Sequence, residues 1–216
     1  ASAPVEYLDP ATKTYAGYDM DLIRAVADKA GYDVEIINMG FDALIPALSS
    51  GTIDVIAAGV SITEERAKRV DFTTPYYTTG LSILVRKTDA GTLKTMKDLE
   101  GKRIAVQIGT TGAEKAKSIA NAKVVSFNTT SDAFMDLAQG GCDAVILDRP
   151  VIAYFLKNQP RAAKRVTLQP GVEDAADFGF AVKKGNAELL QKLNAGLKAV
   201  NDSGEGKKIF EKYFAE

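Results

Sequence analysis

Apolar residues recur at helical spacing from residue 19 onward. Leu22, Ile23, Val26, Ala27 and Ala30 fall on one face, which predicts a helix over 19–30 with Asp19 as N-cap and Gly31 as C-cap. The run DVEIINM, 33–39, reads as a strand, residues 44–50 as a helix stopped by Gly51, and IDVIAA, 53–58, as a second strand. After Thr74 the texture changes to PYYTTGLSILVRK, which is extended and rich in aromatic and β-branched residues. The alternation restarts at residue 103. Strands are predicted at 103–108, 123–127 and 143–147, and helices at 111–120, 131–139 and, after Pro150, 151–158. FGFAVKK, 178–184, reads as one more strand, ahead of closing helices at 187–201 and 205–214 that Ser203 and Gly204 separate.

Strands alternating with helices argue for an α/β fold whose sheets are parallel or mixed and joined by right-handed crossovers. Two such cycles of about 90 residues each match ordinary domain sizes. LSILVRK and FGFAVKK share an apolar run ending in basic residues, and they bracket the second cycle. They are therefore read as a pair of strands crossing between two lobes. Lobe one would comprise 1–85 with 183–216 and lobe two 86–182, leaving a cleft with a two-strand hinge at its floor.

Charge removes one class of partner. With 27 basic and 28 acidic residues in 216, no global field draws the chain to nucleic acid or anionic lipid. No apolar run nears the roughly 18 residues of a bilayer span, and no basic start leads into an apolar core, so an exported form would have lost its signal peptide. Histidine is absent, which removes the commonest general base, the Ser-His-Asp triad and most transition-metal sites. Cys142 is the lone cysteine, so no internal disulfide can form; in CDAVIL it reads as a small buried hydrophobe. The balance tilts from catalysis toward binding, with no cofactor and no metal.

Candidate chemistry gathers at predicted strand ends, where open α/β sheets place ligands. In AGVSITEERAKR, Gly59 lets a ligand approach the backbone, Ser61 offers a hydroxyl, and Arg66 stands near the start of a charged helix. Arg66 could equally be a solvated surface residue. In VQIGTTGAE, the turn holding Thr111 and Gly112 lies between a strand and a helix and can cradle an anion, although any such turn favours glycine and a threonine cap. It is neither a Walker loop nor a dinucleotide fingerprint. Asp148, after the strand 143–147, would face a ligand cation or cap the helix begun by Pro150. Phe41, placed at the end of the strand before DALIPAL, is either core or an apolar wall. Two anion-gripping turns and one carboxylate, spread over both lobes, suit a zwitterion, and an α-amino acid is the simplest.

The segments YAGYDMDLIRAVA, FDALIPALSSGTIDVIAAGVSITEERAKRVDFTTPYYTTGLSILVRK, MKDLEGKRIAVQIGTTGAEKAK, GGCDAVILDRPVIAYFL and FGFAVKKGN, in that order, resemble the bacterial extracellular solute-binding proteins of family three. The resemblance covers nearly the whole chain. It implies a two-lobed type II periplasmic-binding-protein fold, and the role of receptor for an amino acid ABC importer that closes on a polar or charged L-amino acid. It also implies a periplasmic or extracytoplasmic location, with a lipid-anchored precursor as one form, a membrane permease as partner, and a monomer. By the same resemblance Arg66 grips the ligand carboxylate with help from Ser61, Thr111 and the Gly112 N–H. Asp148 and the Gly59 carbonyl take the ammonium, and Phe41 forms a wall. Two departures stand out. Ser2 and Val5 occupy positions where the family usually has an aromatic residue and a phenylalanine, and the family's first strand precedes residue 1, which implies either a shortened sequence or a lobe lacking an interior strand.

Two other roles fit the same architecture. A cyclohexadienyl or arogenate dehydratase would need an acidic proton donor in the cleft, for which Glu173 is the candidate, although Asp148 suits an amine-bearing ligand better. A sensory module would need a linker and a membrane segment, and neither occurs within these residues.

Overall fold

The computed structural model describes residues 7, 8 and 15–215. The elements follow as β1 (Tyr7–Leu8), β2 (Tyr15–Ala16), α1 (Tyr18–Ala30), α2 (Phe41–Ser50), β3 (Val55–Ile56), α3 (Glu64–Ala67), β4 (Val70–Phe72) and β5 (Tyr77–Arg86). Then come β6 (Arg103–Gln107), α4 (Thr111–Lys117), β7 (Lys123–Phe127), α5 (Thr130–Ala138), β8 (Ala144–Asp148), α6 (Arg149–Asn158) and α7 (Pro160–Ala163). The chain ends with β9 (Val166–Leu168), β10 (Glu173–Phe178), β11 (Ala181–Lys183), α8 (Ala187–Asp202) and α9 (Glu205–Tyr213).

The chain divides into two compact units. One runs through Thr78 and resumes over Ala176–Tyr213; the other is Thr79–Ala175 with the last residues from Phe214. Both crossings fall about seven residues before the expected boundaries of 85 and 182. The reason is pairing. β5 belongs to the sheet of the second unit, where Leu81–Val85 pairs antiparallel with β8, so LSILVRK cannot be counted with the first. Within FGFAVKK, Phe178 ends β10 and Ala181–Lys183 forms β11, which pairs with β3 and β4; the chain returns earlier, in β10.

In the first unit β11 lies between β3 and β4 and is antiparallel to both. Leu48, Ile56, Val60, Val70 and Ala181 form the core beneath α2. Helix α1 buries Leu22, Ile23, Val26 and Ala27, packs on α8, and ends at Gly31 in the left-handed conformation that glycine adopts freely. Gly196 makes the close approach possible, because a Cβ there would sit 2.6 Å from the Val26 carbonyl oxygen.

Two strand expectations need correction here. Residues 33–39 form no strand, and of 53–58 only Val55–Ile56 does. A strand exists only where a neighbour takes its backbone hydrogen bonds, and no described strand flanks 33–39. Val34 and Ile37 are exposed, and the segment lines a groove of about 750 Å³ of mixed polar and apolar character, together with Met20, Ile23, Asp54 and Glu188.

The second unit carries a mixed sheet in the order β10-β5-β8-β6-β7, with β9 also paired to β5. β6 is parallel to both β7 and β8. The central strands β6 and β8 are buried almost throughout, as expected where helices cover both faces of a sheet. One face packs Leu81, Ile83, Ile104, Val106 and Ile146 against α4, and the other packs Leu84, Val145, Phe134 and Ile152 with Cys142.

Candidate functional site

In the first unit the loop leaving β3 is held from several sides. Gly59 has φ 60°, a left-handed conformation that disfavours side chains. Its N–H donates to Asp19 Oδ2 at 2.7 Å, and the Tyr76 hydroxyl donates to the same oxygen at 2.6 Å. Asp19 is 1 % exposed and lies inside the first turn of α1, where Gly17 is the N-cap residue, so it is not the cap expected from the sequence. Burial, reinforced by this neighbouring carboxylate, holds the Tyr18 phenol well above its ordinary pKa. Further along, the Gly179 N–H donates to the Val60 carbonyl at 3.1 Å, and Ser61 bridges antiparallel to Phe178.

Thr63 then caps α3, its Oγ1 accepting the Arg66 N–H at 3.1 Å. From this turn the half-buried Arg66 side chain folds back. Nη1 donates to the Ser61 carbonyl at 2.9 Å, and the guanidinium lies 5.6 Å from the centre of the Phe41 ring. Phe41 opens α2 rather than ending a strand, and it is 50 % exposed. Ser61, Arg66 and Phe41 thus converge, with Gly59 two residues before Ser61 in the same loop. Among the described residues Arg66 meets no carboxylate.

In the second unit the parallel strands β6 and β8 end at the same edge of the sheet, with the turn into α4 after one and Asp148 at the end of the other. Thr110, not Thr111, caps α4: its Oγ1 accepts the Ala113 N–H at 3.1 Å and donates to the Gln107 carbonyl at 2.7 Å. Thr111 is the first helical residue. Gly112 presses on β8, since a Cβ would lie 2.7 Å from the Ile146 carbonyl oxygen. That contact brings the start of α4 to within two residues of Asp148 along the strand. Asp148 occupies the N-cap position of α6, yet its carboxylate makes no capping bond. Although the residue is exposed, its carboxyl end is partly withdrawn from water, and this desolvation raises its pKa.

The first unit thus holds a cation, a backbone carbonyl and an aromatic ring, and the second a carboxylate at the sheet edge from which α4 starts. Ser2 and Val5 lie outside the described residues. The sequence reading missed Asp19 as a partner of Gly59. The signal was there: Asp19, Leu22, Ile23 and Val26 share one helical face, so the carboxylate belongs to the buried side.

The profile of the family described as bacterial extracellular solute-binding proteins, family 3, matches residues 1–216. ABC transporter arginine-binding protein 1 of Escherichia coli is 35% identical over 210 residues, covering 95% of this chain and 84% of its own. A solved ancestral cationic amino acid solute-binding protein shares the fold with TM-score 0.83 at 36% identity, covering 99% of this chain and 91% of its own. A polar amino acid ABC uptake transporter substrate-binding protein from Streptococcus thermophilus superposes with TM-score 0.87 at 30% identity, covering 99% and 83%.

Proposed function

Because the chain belongs to the bacterial extracellular solute-binding proteins of family 3, we propose that it is the substrate-binding receptor of an amino acid ABC importer and binds a polar or charged L-amino acid. One observation carries the reading. Arg66 is braced by Ser61 and Phe41 with no carboxylate partner among the described residues, while Asp148 is held partly desolvated and does no capping work. A zwitterion supplies what each lacks. The names of the relatives, which bind arginine or other cationic and polar amino acids, support the same ligand class.

In this reading Arg66 pairs with the ligand carboxylate, assisted by Ser61, Thr111 and the Gly112 N–H. Asp148 and the Gly59 carbonyl accept from the ammonium, and the ligand packs on Phe41. A ligand that engages both units favours whichever arrangement lets it do so, by no more than its differential affinity for that arrangement. Excluding water strengthens both ion pairs. The ligand-bound form is what a membrane permease recognises outside the cytoplasm. The receptor acts as a monomer and performs no chemical step, so incubation with prephenate yields no phenylpyruvate absorbance.

A thermal-shift panel of the twenty L-amino acids with ornithine and cystine tests the assignment. A ligand at a hundred times its Kd adds about 2.7 kcal/mol of stability, enough to move the melting temperature. A panel with no response sinks the assignment. With the best ligand, calorimetry should find that Arg66→Ala and Asp148→Ala each weaken binding by about 2–5 kcal/mol, the range for stripping one partner from a desolvated charge pair.

A further inference from the structure

We propose that Asp19 is a positioning residue for the ligand ammonium, acting through Gly59. This rests on the amino acid reading above and extends it to a residue that would never touch the ligand. Asp19 sits in the second position of α1, where the aligned peptide dipoles of a 13-residue helix favour a negative charge. It is 1 % exposed, and the oxygen that accepts the Gly59 N–H also accepts from the Tyr76 hydroxyl, whose ring stacks on Phe180 with centroids 4.1 Å apart. A side chain so confined has already lost its freedom, and its bond to the Gly59 N–H is charge-assisted.

The consequence is geometric. Gly59 is outside any helix or strand and adopts φ 60°, so no regular ladder fixes its orientation. Its N–H is held by Asp19, and the carbonyl of the next residue, Val60, is held by the Gly179 N–H. The Gly59–Val60 peptide lies between these two anchors. Among the described residues the Gly59 carbonyl itself accepts no hydrogen bond, which leaves it for the ammonium. Without Asp19, glycine's wide conformational range would let this carbonyl turn away, and binding would bear the cost of ordering it.

The test compares two ligands by calorimetry on the full chain. One is the tightest amino acid of the thermal-shift panel; the other is its analogue lacking the α-amino group, which for L-arginine is 5-guanidinopentanoate. Asp19→Ala is expected to lower affinity for the amino acid by roughly tenfold, the equivalent of one lost hydrogen bond, and to leave affinity for the analogue within about twofold. Asp19→Asn keeps an oxygen for the Gly59 N–H but loses the charge, so it should fall between wild type and alanine, with the same selectivity; it also serves if the alanine variant does not fold. Equal losses for both ligands would mean a general structural role, and no loss for either would mean no role; each overturns the inference while amino acid binding by the wild type stands. A wild type that binds no amino acid overturns both.

Discussion

Asp148 carries a charge that its surroundings resist. A carboxyl whose pKa is raised by folding costs stability above that raised value, and the cost disappears as the pH falls through it. Asp148→Asn should therefore melt at or slightly above wild type near neutral pH without ligand, the difference closing as acid brings the pH toward the ordinary carboxylate value of 3.8. A melting temperature clearly below wild type would contradict desolvation as the cause. If Asp148 takes the ligand ammonium as proposed, saturating ligand should reverse the order, since a neutral amide cannot form the ion pair. Cys142 gives a second check: burial first, then the neighbouring Asp136, pushes its thiol up to about 12, so a thiol-specific reagent should label it only on unfolding. Rapid labelling of the native protein would show the site to be open. At this scale the sequence was informative where one property decided the outcome, as for Cys142 in its apolar run. It misled at Asp19, because the preference of aspartate for helix starts and the helical spacing of the buried face pointed to different roles, and burial won.

Among the elements, α8 offers a contest between local preference and packing. Replacing glycine by alanine inside a helix ordinarily gains about 1 kcal/mol. At Gly196 the added carbon would meet the Val26 carbonyl at 2.6 Å and force α1 and α8 apart, and overpacking of this kind costs about 1–3 kcal/mol. Chemical denaturation should find Gly196→Ala less stable than wild type; a gain would mean that the two helices separate easily. Helices were legible because their hydrogen bonds are local and their caps are written in sequence, as Gly31 and Gly51 show. Strands were less so. Residues 123–127 have partners in β6 and form β7, whereas 33–39, with equally apolar residues, have no described partner and form none. Strand formation is decided elsewhere in the chain, and a linear reading cannot see it.

For the molecule as a whole, the proposed ligand contacts in both units make a prediction about protection. Hydrogen exchange with and without the best amino acid is expected to slow amides around 59–66 and around 109–112 in parallel; protection confined to one unit would remove the other from the binding chemistry. The alternation of elements disclosed two units but misjudged both crossings by the same sense and distance, because β5 looks alike whichever sheet it joins. The interruption of the first unit has a consequence for synthesis. Its middle strand β11 and the helix that backs α1 are encoded after the entire inserted segment. On a ribosome adding roughly 5–20 residues per second, the amino-terminal part must wait on the order of 10 s with its sheet unclosed, while the inserted unit can already assemble. The nascent chain is thus most open to chaperones and proteases in the part of the first unit made before the insertion, and a slowly translated stretch inside 79–175 would lengthen that exposure.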